Sequence, residues 1–109
     1  MKKVIDLKNI KFGSLNNKYK GNFKLTDSYK TFKEEIFYNI KRGKIKPNYA
    51  ITIQCAMYHD IDNIIKPIFD ALQKAEIIDN DRNILSVDMF KRQIKKGKPG
   101  SLEVWIETV

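Results

Sequence analysis

Between residues 49 and 75 the hydrophobic period changes from two to nearly four, with only residues 59–62 separating the two patterns. Ile51, Ile53, Cys55 and Met57 alternate with Thr52, Gln54 and Ala56, which predicts a strand over 49–58 with one buried face. Ile64, Ile65, Ile68, Ala71, Leu72 and Ala75 then fall on one side of a helical wheel. Asp62, Lys66, Asp70 and Gln73 fall on the other, so an amphipathic helix is expected over 63–75. Asp62 or Asn63 suits the cap of that helix, and Pro67 is expected near its first turn, where a missing N–H costs little. A strand that runs directly into an amphipathic helix places the chain among folds that layer helices on a sheet.

The flanking segments complete the order. Val4 to Phe12 alternates loosely up to Gly13 and reads as a strand, and 14–26 reads as a long polar loop. Tyr29, Phe32, Ile36 and Ile40 recur at helical spacing within 28–42, with Thr26, Asp27 or Ser28 to start the helix and Gly43 to end it. Ile84–Ile94 and Ser101–Val109 read as a hairpin around Lys95-Lys96-Gly97-Lys98-Pro99-Gly100. Phe90 and Trp105 fall on the faces opposite the main alternation, where core packing and a subunit interface are both open readings. The expected fold is a single α/β (α+β) domain over residues 1–109, of order β-α-β-α-β-β with a mixed sheet. No apolar run is long enough to span a bilayer, and the first residues lack a secretory apolar segment. Cys55 alone cannot form an internal disulfide, so a reduced, cytoplasmic setting is expected.

Charge is unevenly distributed. The chain has a formal net charge of +8. Residues 1–48 carry 13 Lys/Arg against 4 Asp/Glu, whereas residues 49–109 carry 8 against 9. The basic half suits a polyanion such as DNA or RNA, which basic surfaces recruit by counterion release. A lysine-rich solvated surface without a partner is the plainer account.

The acids of the second half are clustered. Asp60-Ile61-Asp62-Asn63, Lys66, Asp70 and Asp79-Asn80-Asp81 gather five carboxylates and an ammonium in about two dozen residues. Carboxylates so close repel one another, and a divalent cation is their simplest shared partner. Asp60 and Asp62, two apart at the end of a strand, would share a face if the strand continued, and the chain could return at Asp81 to complete the site. Lys66, one turn beyond Asp62, could meet a phosphate and the charge developing on it. Oxygen ligands without a His/Cys cluster favour Mg²⁺ or Mn²⁺ over zinc. Taken singly, each residue has an ordinary account: a helix cap at Asp62, a surface charge at Asp60, an exposed Lys66 ion pair, a plain turn at 79–81. His59, the single histidine, could touch a phosphate, but a solvated side chain without function is the plainer reading.

Asp60-Ile61-Asp62-Asn63-Ile64-Ile65-Lys66, then Phe69-Asp70-Ala71-Leu72, then Asp79-Asn80-Asp81, resembles the core of the RusA family of Holliday-junction resolvases. Ser14 to Tyr19 resembles the family's N-terminal Asn/Tyr loop more weakly. The resemblance implies a homodimeric, Mg²⁺-dependent endonuclease, often phage- or prophage-encoded, that nicks four-way DNA junctions symmetrically for recombination and repair. It implies metal binding by Asp60, Asp62 and Asp81 and assistance from Lys66, with Asp70 and Asn63 as further candidates. Two departures stand out: Met57-Tyr58-His59 replaces a basic run before the first aspartate, and Asn80 stands where some relatives have an acid. DNA contacts are therefore expected at Lys91, Arg92, Lys95, Lys96 and Lys98 and at the amino-terminal Lys18 and Lys20. A DNA binder that does not cut, and a nuclease for forks or flaps, remain the competing readings.

Overall fold

A computed structural model describes residues 1–10, 12, 19–20, 24–25 and 27–109. Its elements are β1 (Lys2–Ile10), β2 (Tyr19–Lys20), β3 (Lys24–Leu25), α1 (Asp27–Asn39), β4 (Tyr49–Met57), α2 (Asp62–Lys74), a 3₁₀ turn at Asp81–Asn83, β5 (Ile84–Gln93) and β6 (Gly100–Thr108). The expected class holds: a small mixed sheet with two helices, an α+β domain. The short antiparallel pair of β2 and β3 lies where the polar composition of 14–26 suggests only loop.

The four-stranded sheet has the order β1-β6-β4-β5. The expected hairpin is absent, because β6 is antiparallel to both β1 and β4 while β5 is parallel to β4 at the sheet edge. The reason is burial. Strand β6 carries Leu102, Val104 and Ile106, all fully buried, and needs strands on both sides. Strand β5 is exposed along most of its length, which suits an edge. The connection 94–99 therefore passes the end of β4 instead of turning tightly back.

Register places Ile5, Leu7, Val104, Leu102, Ile53 and Cys55 on one face of the sheet. Phe32 and Ile36 from α1 and Ile64, Ile68 and Leu72 from α2 complete the same core cluster. Fully burying each such side chain contributes about 1.5–3 kcal/mol. The opposite face carries Asp6, Glu103, Gln54 and Phe90, and also Trp105, over whose ring the Lys3 ammonium sits at 5.1 Å. Phe90 and Trp105 thus do lie opposite the core alternation.

Helix ends differ in detail from expectation. Helix α1 stops at Asn39, short of Gly43. Helix α2 begins with Ile61 at the cap position and no side-chain cap bond, so neither Asp62 nor Asn63 caps it. The Asn63 amide instead donates to the Asp60 carbonyl at 3.3 Å. Pro67 lies inside the helix and is buried, past the first turn. At the C-terminal end, Glu76 N–H donates to the Gln73 carbonyl and Ile77 N–H to the Leu72 carbonyl, both at 3.0 Å. This is a Schellman closure, and Glu76 occupies its left-handed position with φ of 59°. A residue with a Cβ is strained there, so Glu76→Gly is expected to raise unfolding free energy by about 1 kcal/mol in urea denaturation.

Candidate functional site

Asp60 and Asp62 sit where β4 gives way to α2. The strand ends at Met57, so Asp60 stands in the connecting bend and Asp62 in the first helical turn. The two-residue alternation expected for them is replaced by a bend, which still brings both to one cleft lined by Asp60, Ile61, Asp62 and Lys91. Both acids are exposed. The helix N-terminus beneath Asp62 favours its negative charge.

Two side chains from β5 hold this bend in place. Lys91 Nζ donates to the His59 carbonyl at 2.8 Å, and Gln93 Nε2 donates to the Tyr58 carbonyl at 3.0 Å. Lys91 is therefore half-buried beside the acids, not at the tip of a hairpin. The sequence hides this role, because it depends on β5 lying parallel to β4 with Cys55 opposite Lys91. Burial pushes the Cys55 thiol up, against a smaller opposing effect of the Lys91 ammonium, so the thiol stays protonated. His59 is half-buried with its ring edge-on to Tyr58 at 5.2 Å.

Lys66 projects from the exposed side of α2 and pairs with Asp70 at 3.0 Å. Asp70 also meets Lys33 of α1 at 3.5 Å, so it acts as a tie between the two helices. Exposure of these groups keeps each pair weak. Lys95, Lys96 and Lys98 are exposed on the connection that passes the same end of β4. Arg92 is exposed on the face away from the core, opposite Ala56. Lys18 lies outside the described residues, and Lys20 is described only by its place in β2.

Asp81 is elsewhere. Its backbone N–H donates to Gln73 Oε1 at 2.9 Å, which fixes it beside the C-terminal end of α2. At about 1.5 Å per residue, Gln73 lies roughly 16 Å along the helix from Asp62. Strand register agrees: Tyr49 is opposite Ile84 and Met57 opposite Gln93, so Asp81 precedes the start of the ladder and Asp60 follows its end. Carboxylates that share a Mg²⁺ must each approach it to about 2.1 Å. Within one chain Asp81 therefore does not return to Asp60 and Asp62, contrary to the expectation from sequence. Among the described residues no three His, Cys, Asp or Glu side chains are grouped to hold a metal.

The turn before β5 is rigidly held. Buried Tyr49 donates its hydroxyl to the Ile45 carbonyl at 3.0 Å and accepts from the Asp79 N–H at 3.1 Å. Burial pushes the Tyr49 phenol up, keeping it a neutral donor. The Asp79 carboxylate accepts from Asn83 Nδ2 at 2.9 Å, and Asn80 Oδ1 accepts from the Arg82 N–H at 3.0 Å. These bonds make Asp79 a structural acid, whereas half-buried Asp81 is tied to the turn through its backbone N–H.

A profile of the family described as Endodeoxyribonuclease RusA matches residues 8–107. This two-layer α+β chain, with acids at a strand-to-helix bend, belongs to that family. The crossover junction endodeoxyribonuclease RusA of Aquifex aeolicus (strain VF5) is 46% identical over 41 residues, which is 38% of this chain and 32% of that protein. The aligned stretch thus spans about a third of that relative.

The Asn83 hydrogen bond holds the Asp79 carboxyl below its usual range, with smaller help from Asn80 and Tyr49 against a desolvation that raises it. Stability from a depressed carboxyl is fully present above its unfolded value, near 4, and is lost as pH falls through the lower folded value. Asp79→Asn is therefore expected to lower the melting temperature at pH 7, and the gap from wild type should narrow in melts below about pH 4.

Proposed function

We propose that this chain is a Mg²⁺-dependent endonuclease that resolves four-way DNA junctions by paired, symmetric nicks, working as a homodimer. The observation that carries the reading is the pair of exposed acids, Asp60 and Asp62, at a bend flanked by Lys91 and Lys66 and bordered by Lys95, Lys96 and Lys98. Acids for a hard cation and lysines for a polyanion meet at one end of the sheet. Among the described residues no helix is long and apolar enough to cross a membrane.

A divalent cation suits these residues by the chemistry of the donors. Asp60 and Asp62 offer only hard oxygen ligands, and both are exposed. A single chain supplies half of such a site. Asp81 of a second copy completes it in our reading, which gives the dimer a catalytic reason. When bound, the cation lowers the pKa of a water and neutralises charge on the phosphate.

The chain's own groups have separate tasks. Lys66 exchanges its exposed pair with Asp70 for the scissile phosphate, where its charge favours the more anionic transition state. Lys91 is held by the His59 carbonyl and keeps the acid-bearing bend from moving when DNA arrives. Lys95, Lys96 and Lys98 bind backbone phosphates and position an arm without reading bases. Water adds to phosphorus as the bond to the 3′ oxygen breaks, leaving a 5′-phosphate and a 3′-hydroxyl that a ligase can seal. Two sites related by a two-fold axis meet two equivalent strands of the junction.

A DNA binder that does not cut is favoured by one observation, the placement of Asp81 far from the other acids of its own chain. Strand-resolved cleavage of four-way junction, fork, flap and duplex across a Mg²⁺ titration separates the readings. Paired nicks on the junction are expected, with loss to background in Asp62→Asn and in Asp81→Asn and a loss of about 10²-fold in Lys66→Ala. Mixing Asp62→Asn with Asp81→Asn should restore one intact site per mixed dimer and roughly a quarter of wild-type nicking, as single nicks. Junction binding in chelator with no nicks under any divalent ion would leave only the binding reading.

A further inference from the structure

The two edges of the sheet differ. The β1 edge is interrupted by register shifts at Lys3/Ile5 and Lys8/Ile10, bears Asn9 at φ of 56°, and is met by the Lys41 N–H, which donates to the Val4 carbonyl at 2.9 Å. Such irregularities are how proteins keep an edge from pairing with another chain. The β5 edge has none of them between Ser86 and Gln93, where its ladder with β4 runs without a shift. It contains no proline and leaves Leu85 64%, Val87 39% and Phe90 58% exposed. A long, regular, partly apolar edge is a template for another strand.

The ends of β5 carry the two halves of the proposed acid site. At its C-terminal end, Lys91 and Gln93 bond the bend that leads to Asp60 and Asp62. At its N-terminal end, the 3₁₀ turn that begins with Asp81 runs straight into Ile84. Antiparallel self-pairing superposes opposite ends of a strand. Full overlap of two β5 strands would set Asp81 of one copy level with residues just beyond Gln93 of the other, where Asp60 and Asp62 lie. It would do so twice, once at each end of the seam.

We infer that β5 is the seam at which two copies of this chain join, edge to edge and antiparallel, forming a continuous eight-stranded sheet whose two-fold axis passes near Val87–Met89. The inference rests on the two-copy reading of the proposed site and names the surface that builds it. A two-fold axis perpendicular to the sheet makes one residue face its own copy. Asp88 opposite itself would place like charges together, which favours Val87 or Met89 on the axis. Either register brings Val87 and Met89 of the two chains together on the core face of the seam, with Phe90 of each chain on the opposite face.

Cysteine cross-linking tests this directly. Val87→Cys and Met89→Cys are made singly, with Tyr38→Cys on exposed α1 as control; native Cys55 is buried. Mild oxidation is expected to give a reducible covalent dimer for at least one seam variant and none for the control. The double variant Leu85→Glu, Val87→Glu, checked for native circular dichroism, should shift the light-scattering mass from dimer towards monomer with at least a tenfold weaker association. Seam cysteines that link no better than the control, or a Glu variant that stays fully dimeric, overturn the seam. Junction cleavage measured on the same samples keeps the two ideas apart. Cleavage by a dimer that fails to cross-link removes the seam and leaves the nuclease standing. A cross-linked dimer without cleavage supports the seam and removes the nuclease.

Discussion

The parallel ladder between β4 and β5 governs where the acids can lie. Parallel strands need a crossover, and α2 supplies it on the core face of the sheet. A parallel crossover returns the chain to the end from which the first strand began. Acids just after β4 and acids just before β5 are therefore held at opposite ends of α2, with Asp62 and Gln73, the partner of Asp81, roughly 16 Å apart along the helix. No side-chain rearrangement closes that distance, since Gln73 and Tyr49 fix the turn at 79–83 to the far end. The same geometry makes β5 an edge with one half of the acid set at each end.

Polar contacts keep the bend and the turn in place. The bend that carries Asp60 and Asp62 is positioned through backbone carbonyls bonded from β5, and both acids are exposed. Asp79 is consumed by Tyr49 and Asn83, and Asp70 by Lys33 and Lys66. Of the five clustered acids, Asp70 and Asp79 are thus structural, Asp60 and Asp62 are exposed, and Asp81 is half-buried. That division follows from partners contributed by β4, α1 and the 3₁₀ turn, and neighbours in sequence give little sign of it.

Much of the fold is legible in the sequence because period reports burial. The alternation at Ile51, Ile53, Cys55 and Met57 marks β4, and the stripe at Ile64, Ile68 and Leu72 marks α2, since each side chain must reach the same core. The pairing of β5 with β6 is misread because both segments alternate and a Lys/Gly turn joins them. Their real partners depend on relative burial: β6 is apolar enough for the interior, and β5 is not. The cap of α2 is also misjudged, because Asn63 turns inward to the Asp60 carbonyl and Ile61 takes the cap position.

The sequence by itself determined the class of the domain and the helix and strand that carry the site, since these follow from local period, and it carries the motif by which the chain resembles its family. Tertiary structure alone decided which strands are neighbours, which acids are spent on the fold, and that Asp81 lies at the other end of α2 from Asp60 and Asp62 of its own chain. The physical reason is that spacing along a chain limits how far apart two residues can be but does not set the direction in which a strand returns. That direction is chosen by which surfaces must leave water.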